Sequence, residues 1–169
     1  MALEVTFVRH RERRDRIYVT RPDGTSLSWD FPSYGDRLPH DLVHLVVEDG
    51  LGIDHGFWGL VAGGVEVRLI DNQATLVREG KPLVGQPGAE FTDLRRAEEA
   101  VTLFGPTGPG TDEVTLPAGV SPAAVASTRR RLRQLGLRWR GLGDGGAITL
   151  TFPGTLTFPG TLTLPADRR

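Results

Sequence analysis

Apolar and polar residues alternate in three short stretches near the N-terminus, at positions 3–7, 17–20 and 25–31. A period of two is typical of strands that bury one face and expose the other. Between the second and third stretches, Arg21-Pro22-Asp23-Gly24 is a turn sequence. The pattern therefore predicts a three-stranded antiparallel meander.

After Pro32 the apolar residues recur mostly at the spacing of α-helices. Pro39 and Asp41 suit a helix N-terminus and predict a helix over His40–Asp49 that ends at Gly50 or Gly52. Further helices are predicted over 54–62, stopped by Gly63-Gly64, over 91–104, and from Ser121-Pro122 to about Gly136 or beyond. Additional strands are predicted at 65–69, 114–116 and 147–152, whereas the rest of the stretch to Gly88 has an irregular pattern.

These elements predict an α+β fold, with an antiparallel sheet of four to six strands and three main helices packed on one face. We expect a single domain over residues 1–152, with a loop at 105–112 between its two parts, and a C-terminal extension over 153–169. That extension continues a repeat, because Thr149-Leu150-Thr151-Phe152-Pro153-Gly154 recurs directly as residues 155–160. The first copy is expected to close the sheet, and the later copies to form an edge extension or a loose tail.

The amino-acid composition limits the kinds of metal site and catalytic site that the chain can form. The 169 residues include no cysteine, which excludes disulfides, thiolate metal sites and cysteine nucleophiles, so any metal must be held by histidine and carboxylate. No apolar run approaches the roughly 20 residues that cross a bilayer, and the first residues lack a signal-peptide pattern. We therefore expect a cytoplasmic protein with no membrane partner.

The net charge of -1 argues against a generic nucleic-acid binder. Residues 41–100 nevertheless carry eleven acidic and five basic residues, while residues 121–169 carry eight arginines and two aspartates, so the two segments could attract each other. Arginines cluster at 9–16 and at 129–140. Neither 9–16 nor the dense run at 129–133 has interleaved aromatic residues, which favours a solvated hairpin tip and a solvated helix face.

The predicted helix over 40–49 carries the most suggestive constellation. His40 and His44 lie one turn apart, and Asp41 and Glu48 complete a narrow polar stripe on a helix that is otherwise apolar. Two histidines so spaced can bind one Zn²⁺, and an adjacent carboxylate can accept a proton from a water molecule that the metal polarises. An ordinary solvent-exposed stripe, with His44 and Glu48 as a surface pair, is the alternative.

His40-Asp41-Leu42-Val43-His44 resembles the His-Glu-x-x-His helix of zincin metallopeptidases, with Asp41 in place of the glutamate that acts as general base. The resemblance implies zinc at His40 and His44 and a third ligand further along the chain. In one zincin branch that ligand is a histidine after a glycine turn, for which His55 is the candidate. In the gluzincin branch it is a glutamate on a later helix, for which Glu66 is roughly placed, and Glu48 is a further candidate. The chain also resembles small proteins of high-GC bacteria with no assigned activity, through runs such as Gly56-Phe57-Trp58-Gly59.

The leading hypothesis is a zinc-binding protein, with Asp41 as catalytic base and His40, His44, His55 and Glu48 as candidate ligands, acting as a hydrolase on a peptide or another small amide or ester. The alternative is a non-catalytic interaction module that uses the basic helix from Ser121 to bind an acidic partner or a nucleic acid. A third hypothesis is self-assembly into a homo-oligomer through the repeated Thr-Leu-Thr-Phe edge.

Overall fold

The computed structural model describes residues 2–83, 88–104 and 119–153, without the side chains of residues 89–91. The predicted loop at 105–112, the predicted strand at 114–116 and the later repeat copies lie outside these residues. Eleven elements are described: β1 Leu3–Val8, β2 Asp15–Thr20, β3 Ser26–Phe31, α1 His40–Leu51, α2 Phe57–Ala62, β4 Glu66–Ile70, β5 Gln73–Arg78, β6 Lys81–Pro82, α3 Ala89–Thr102, α4 Pro122–Arg140 and β7 Ala147–Phe152.

A four-stranded antiparallel sheet has the order β3-β2-β1-β7. Val5 of β1 lies opposite Val19 of β2 on one side and opposite Leu150 of β7 on the other, and all three side chains are buried. The alternation in the sequence thus maps onto one buried and one exposed face, as predicted for the meander. The first copy of the repeat supplies β7 and closes the sheet against β1, also as predicted.

A second antiparallel sheet has the order β4-β5-β6. The sequence predicted β4 only, because β5 and β6 are joined by turns whose signals are weak. Asp71 and Asn72 both have positive φ in the two-residue turn between β4 and β5, and Glu79 and Gly80 do the same between β5 and β6. Such turns match the twist of a hairpin and are most often Asn-Gly, Asp-Gly or Gly-Gly, so the pairs Asp71-Asn72 and Glu79-Gly80 give a weaker turn signal.

Helix α1 is the centre of the helical layer. Its Leu42, Leu45 and Val46 pack into the core beneath the four-stranded sheet, together with Trp58 of α2 and Trp139 of α4. A second cluster joins α1 to α3 through its Val47 and, on α3, Ala97, Ala100 and Val101. The α+β class with helices against an antiparallel sheet is therefore confirmed, and the strands are divided between two sheets.

The helix boundaries follow local signals. The Ser121 hydroxyl accepts a hydrogen bond from the backbone N–H of Ala124 at 3.1 Å and caps α4, as the sequence predicted. Helix α1 begins after Pro39 and ends at Gly52, which has φ of 66°. None of the helices within the described ranges combines the length and the apolar character needed to cross a bilayer.

Candidate metal centre

His40 and His44 lie on the first two turns of α1, on the same side of the helix. Their ring centroids are 4.6 Å apart and the ring planes meet at 70°. His40 is exposed, whereas His44 is only 4% exposed. The structure therefore brings the two predicted histidines together, with one ring anchored in the protein and the other at its surface.

The buried imidazole of His44 lies between two carboxylates. Its Nδ1 is 3.4 Å from Glu48 Oε1, and its Nε2 is 3.3 Å from Glu98 Oε2. Nε2 is buried and, apart from this ion pair with Glu98, has no partner in the described part of the chain. Burial lowers the pKa of His44, but the two carboxylates outweigh burial and raise this pKa to about 9. The imidazole is therefore protonated at neutral pH, and a metal ion that bound to it would have to displace that proton.

Glu98 comes from α3 and was not among the residues that the sequence pointed to. Apolar Ala97, Ala100 and Val101 pack α3 against α1, and this packing carries the neighbouring Glu98 to the edge of the contact, facing His44. Its attraction to the His44 imidazole lowers the pKa of the Glu98 carboxyl, although partial burial opposes that shift. The helical spacing of the apolar residues over 91–104 was the available signal, since it predicts which side of α3 is buried.

Together, His40, His44 and Glu98 form a group that could hold a metal ion. Each offers one ligand atom, and no two of these atoms are more than 4.8 Å apart. Among the described residues, this is the group of histidine and carboxylate side chains with that property. Two imidazole nitrogens and one carboxylate oxygen are ligands typical of zinc and other transition metals.

Glu48, a predicted ligand candidate, has a different position. Its carboxylate is fully buried and accepts hydrogen bonds from the backbone N–H groups of Phe57 and Trp58, both at 2.9 Å. Burial raises the pKa of Glu48 above its usual value, although His44 and these two N–H groups oppose that shift. A Cβ at Gly56 would lie 2.5 Å from the Glu48 carboxyl carbon, so glycine is needed there. Glu48 thus caps the start of α2 and orients the His44 ring from behind.

The other predicted residues lie around the group. His55 is exposed and pairs with Asp93, with 3.4 Å between Nδ1 and Oδ2, and Glu66 is in β4 beside Arg68. The structure brings neither of them to His40 and His44. Asp41 is next to the group, with its Oδ1 3.9 Å from His40 Nδ1, and its backbone carbonyl accepts a hydrogen bond from the Trp58 indole.

A cavity of about 550 Å³ opens beside these residues. It lies where edge strand β3 meets the N-terminus of α1 and the turn between β4 and β5, and His40, His44, Asp41 and Glu98 all line it. Its other walls include aromatic and acidic side chains, namely Trp29, Tyr34, Phe57 and Asp71. The candidate ligands therefore face a space large enough for a small molecule or a short peptide segment.

In the basic helix α4, on which the alternative hypothesis depends, some of the arginine side chains bind other parts of the same chain. Arg131 forms an ion pair with Asp49 of α1 in which both side chains are nearly buried. Arg129 donates to the carbonyl of Leu103 at 3.3 Å. Among the four arginines at 129–133, the exposed ones are Arg130 and Arg133, and these two are directly accessible to a partner.

No protein family, curated protein or solved structure matches this chain.

Proposed function

We propose that this protein binds Zn²⁺ through His40, His44 and Glu98 and uses it to hydrolyse a small amide, ester or peptide. The observation that carries the proposal is the convergence of these three side chains, from two helices, at the wall of one cavity. His44 Nε2 is buried and lies 3.3 Å from Glu98 Oε2, so two of the candidate ligand atoms are already adjacent.

The spacing supports zinc. Ligand atoms about 2.0–2.1 Å from a tetrahedral ion are roughly 3.3 Å from one another. His44 Nε2 and Glu98 Oε2 are 3.3 Å apart already, and His40 is exposed, so rotation of its side chain can complete the set. Two histidines and one glutamate leave a fourth position open, which is the pattern of catalytic rather than structural zinc.

The resemblance to zincins supports the same function. The gluzincin branch has its third ligand, a glutamate, on a helix that follows the histidine helix, and Glu98 on α3 fits that description better than Glu66 in a strand. Asp41 occupies the position of the zincin general base. Aspartate is one methylene shorter, so we expect slower proton transfer than a glutamate would give.

Each residue then has a defined task. The metal, when bound, supplies a positive charge that polarises the scissile carbonyl and the attacking water. Asp41 accepts a proton from that water. Glu48 fixes the ring of His44 so that Nε2 faces the ion, a support that typically changes metal affinity by about 10–100-fold. The aromatic walls of the cavity bind the apolar part of the substrate.

Metal binding is tested first, on protein purified without a histidine tag. We expect about one Zn²⁺ per chain by elemental analysis, and a melting temperature that rises with added Zn²⁺, since zinc at 100 times its Kd stabilises the fold by about 2.7 kcal/mol. Glu98→Gln should abolish stoichiometric zinc, whereas the exposed neighbour substitution Glu99→Gln should not. Wild-type protein without metal and without a thermal shift would reduce the group to an ion-pair cluster.

Hydrolysis is tested separately with chromogenic amides and esters on the zinc-loaded protein. Asp41→Asn should keep the zinc and lose most of the turnover, and His55→Ala should change neither. Full zinc occupancy with no turnover on any amide, ester or peptide would refute the hydrolase part and leave the metal site intact.

A further inference from the structure

A second cavity, of about 600 Å³, lies at the turn between β1 and β2. We call it the arginine groove, and its lining residues are His10, Arg13, Arg14, Arg16, Tyr18 and Asp30. It coincides with the first arginine cluster in the sequence, which we interpreted as a solvated hairpin tip. Residues 11–14 are exposed, as that interpretation expects, but two of the groove's arginine side chains are also held by neighbouring residues.

Arg16 is fixed from two sides. It lies opposite Asp30 in the register of β2 and β3, and its guanidinium donates to Asp30 Oδ1 at 2.7 Å and to Ser28 Oγ at 2.8 Å. The same guanidinium covers one face of the Tyr18 ring, 5.4 Å from its centroid. Tyr18 is 49% exposed, so ring surface remains available to a ligand.

Arg14 is fixed by the second sheet. It donates to Asn72 Oδ1 at 3.0 Å, in the turn between β4 and β5. The backbone of the β1–β2 turn is held as well, because the N–H of His10 donates to Asp15 Oδ1 at 2.7 Å and that of Arg11 to Asp144 Oδ1 at 3.0 Å. Guanidinium groups that are already positioned lose little conformational entropy when an anion binds.

The charges in the groove do not balance. Three guanidinium groups line it, and Asp30 is the one carboxylate among the lining residues, which leaves an excess of two positive charges. The remaining basic side chain of the lining, His10, lies beside a carboxylate outside the lining, with its Nδ1 3.6 Å from Asp144 Oδ1. A phosphate monoester carries roughly -1.5 to -2 at neutral pH and offers oxygens that match the forked donors of arginine.

We propose that the arginine groove binds the phosphate monoester group of a small molecule, with an organic ring of that molecule stacked on Tyr18. This function goes beyond the metal centre and does not depend on it. Arg13 and Arg14 donate to the phosphate, and Arg16, held by Asp30, flanks it. The site sits on the exposed side of the four-stranded sheet, so it is open to solvent without any rearrangement of the core.

The test is calorimetric titration of metal-depleted protein, so that phosphate cannot bind through zinc. Phenyl phosphate is expected to bind more tightly than inorganic phosphate, and the monoanion phenyl sulfate at least about tenfold more weakly than phenyl phosphate. The variant Arg13→Ala/Arg14→Ala should weaken phenyl phosphate binding by about tenfold or more, because it removes two charge-assisted hydrogen-bond donors to the phosphate.

A matched control removes the same charge elsewhere. Arg130→Ala/Arg133→Ala on α4 should leave the affinity unchanged, and Tyr18→Ala should reduce phenyl phosphate to the affinity of inorganic phosphate. Melting curves check that each variant is folded, which we expect because every substituted side chain is exposed. Equal losses in both double variants, equal binding of phenyl sulfate, or binding of single-stranded DNA alone would overturn the proposal in favour of a general polyanion surface.

Discussion

Glu48 illustrates what a sequence can say about a single residue. Helical spacing predicts that it shares a stripe with His40 and His44, and the structure agrees. Whether that stripe faces water, a metal or another helix depends on the packing of α3 and α2, which are distant in sequence. The same limit explains why Glu98 was missed: helical spacing predicts which side of α3 is buried, but only the docking of α3 on α1 places Glu98, and not Glu99, against His44.

Substitution of the two glutamates near His44 should destabilise the protein to very different extents. Glu48→Ala is expected to lower the free energy of unfolding by about 3 kcal/mol, because it leaves the N–H groups of Phe57 and Trp58 unpaired and removes one of the two carboxylates beside the buried His44. Glu98→Gln should cost less than about 1 kcal/mol, since its side chain is exposed. Urea denaturation of metal-free protein measures both. A small loss for Glu48→Ala would contradict the capping role that we assign to it.

At the scale of the elements, the sequence predicted the strands of the four-stranded sheet and the four helices closely, because alternation and caps are local signals. It did not predict how closely the helices approach one another. Gly50, which looked like a helix end, lies inside α1, where a Cβ would come within 2.2 Å of Thr128 Oγ1 of α4. The close contact of α1 and α4 therefore depends on this glycine, a fact that only the tertiary arrangement reveals.

Alanine substitutions at two helical glycines test this contact. Gly50→Ala should destabilise the protein by about 1–3 kcal/mol, because α1 and α4 must separate to admit the methyl group. Gly136→Ala, in α4 with no atoms near its added Cβ, should instead stabilise by up to about 1 kcal/mol through helix propensity. Thermal and urea unfolding distinguish the two. Equal effects would show that the helices do not approach closely at residue 50.

At the scale of the whole molecule, the opposed charges of the two sequence segments meet as expected. Arg131 of the basic segment pairs with Asp49 of the acidic one between α4 and α1. Another connection was not foreseen. Arg9 is buried, donates to the carbonyl of Trp139 at 2.7 Å at the end of α4, and also donates to Asp36 Oδ1 at 2.6 Å. It joins the first strand, the last long helix and the loop before α1.

The Arg9–Asp36 pair gives stability a pH dependence. The hydrogen bond and charge of Arg9 lower the pKa of Asp36 below its usual 3.8, so its contribution is present above that pH and is lost as pH falls through the lowered value. The difference in unfolding free energy between wild type and Asp36→Asn should be constant from pH 8 to about pH 5 and should shrink in more acidic solution. Urea titrations across this range measure it. A difference that grows on acidification would contradict the assignment.

The central position of α1 also has a kinetic consequence. The helix that carries the histidines is enclosed by the sheet and three other helices, so its backbone has no room to hinge. Access to His44 is instead controlled by the exposed side chains of His40 and Glu98, which rotate in nanoseconds or less. If the proposed centre binds Zn²⁺, its loading should therefore follow the rate at which the hydrated ion loses water and should not show a slow conformational phase. Stopped-flow mixing with Zn²⁺, followed by tryptophan fluorescence, would detect such a phase if it exists.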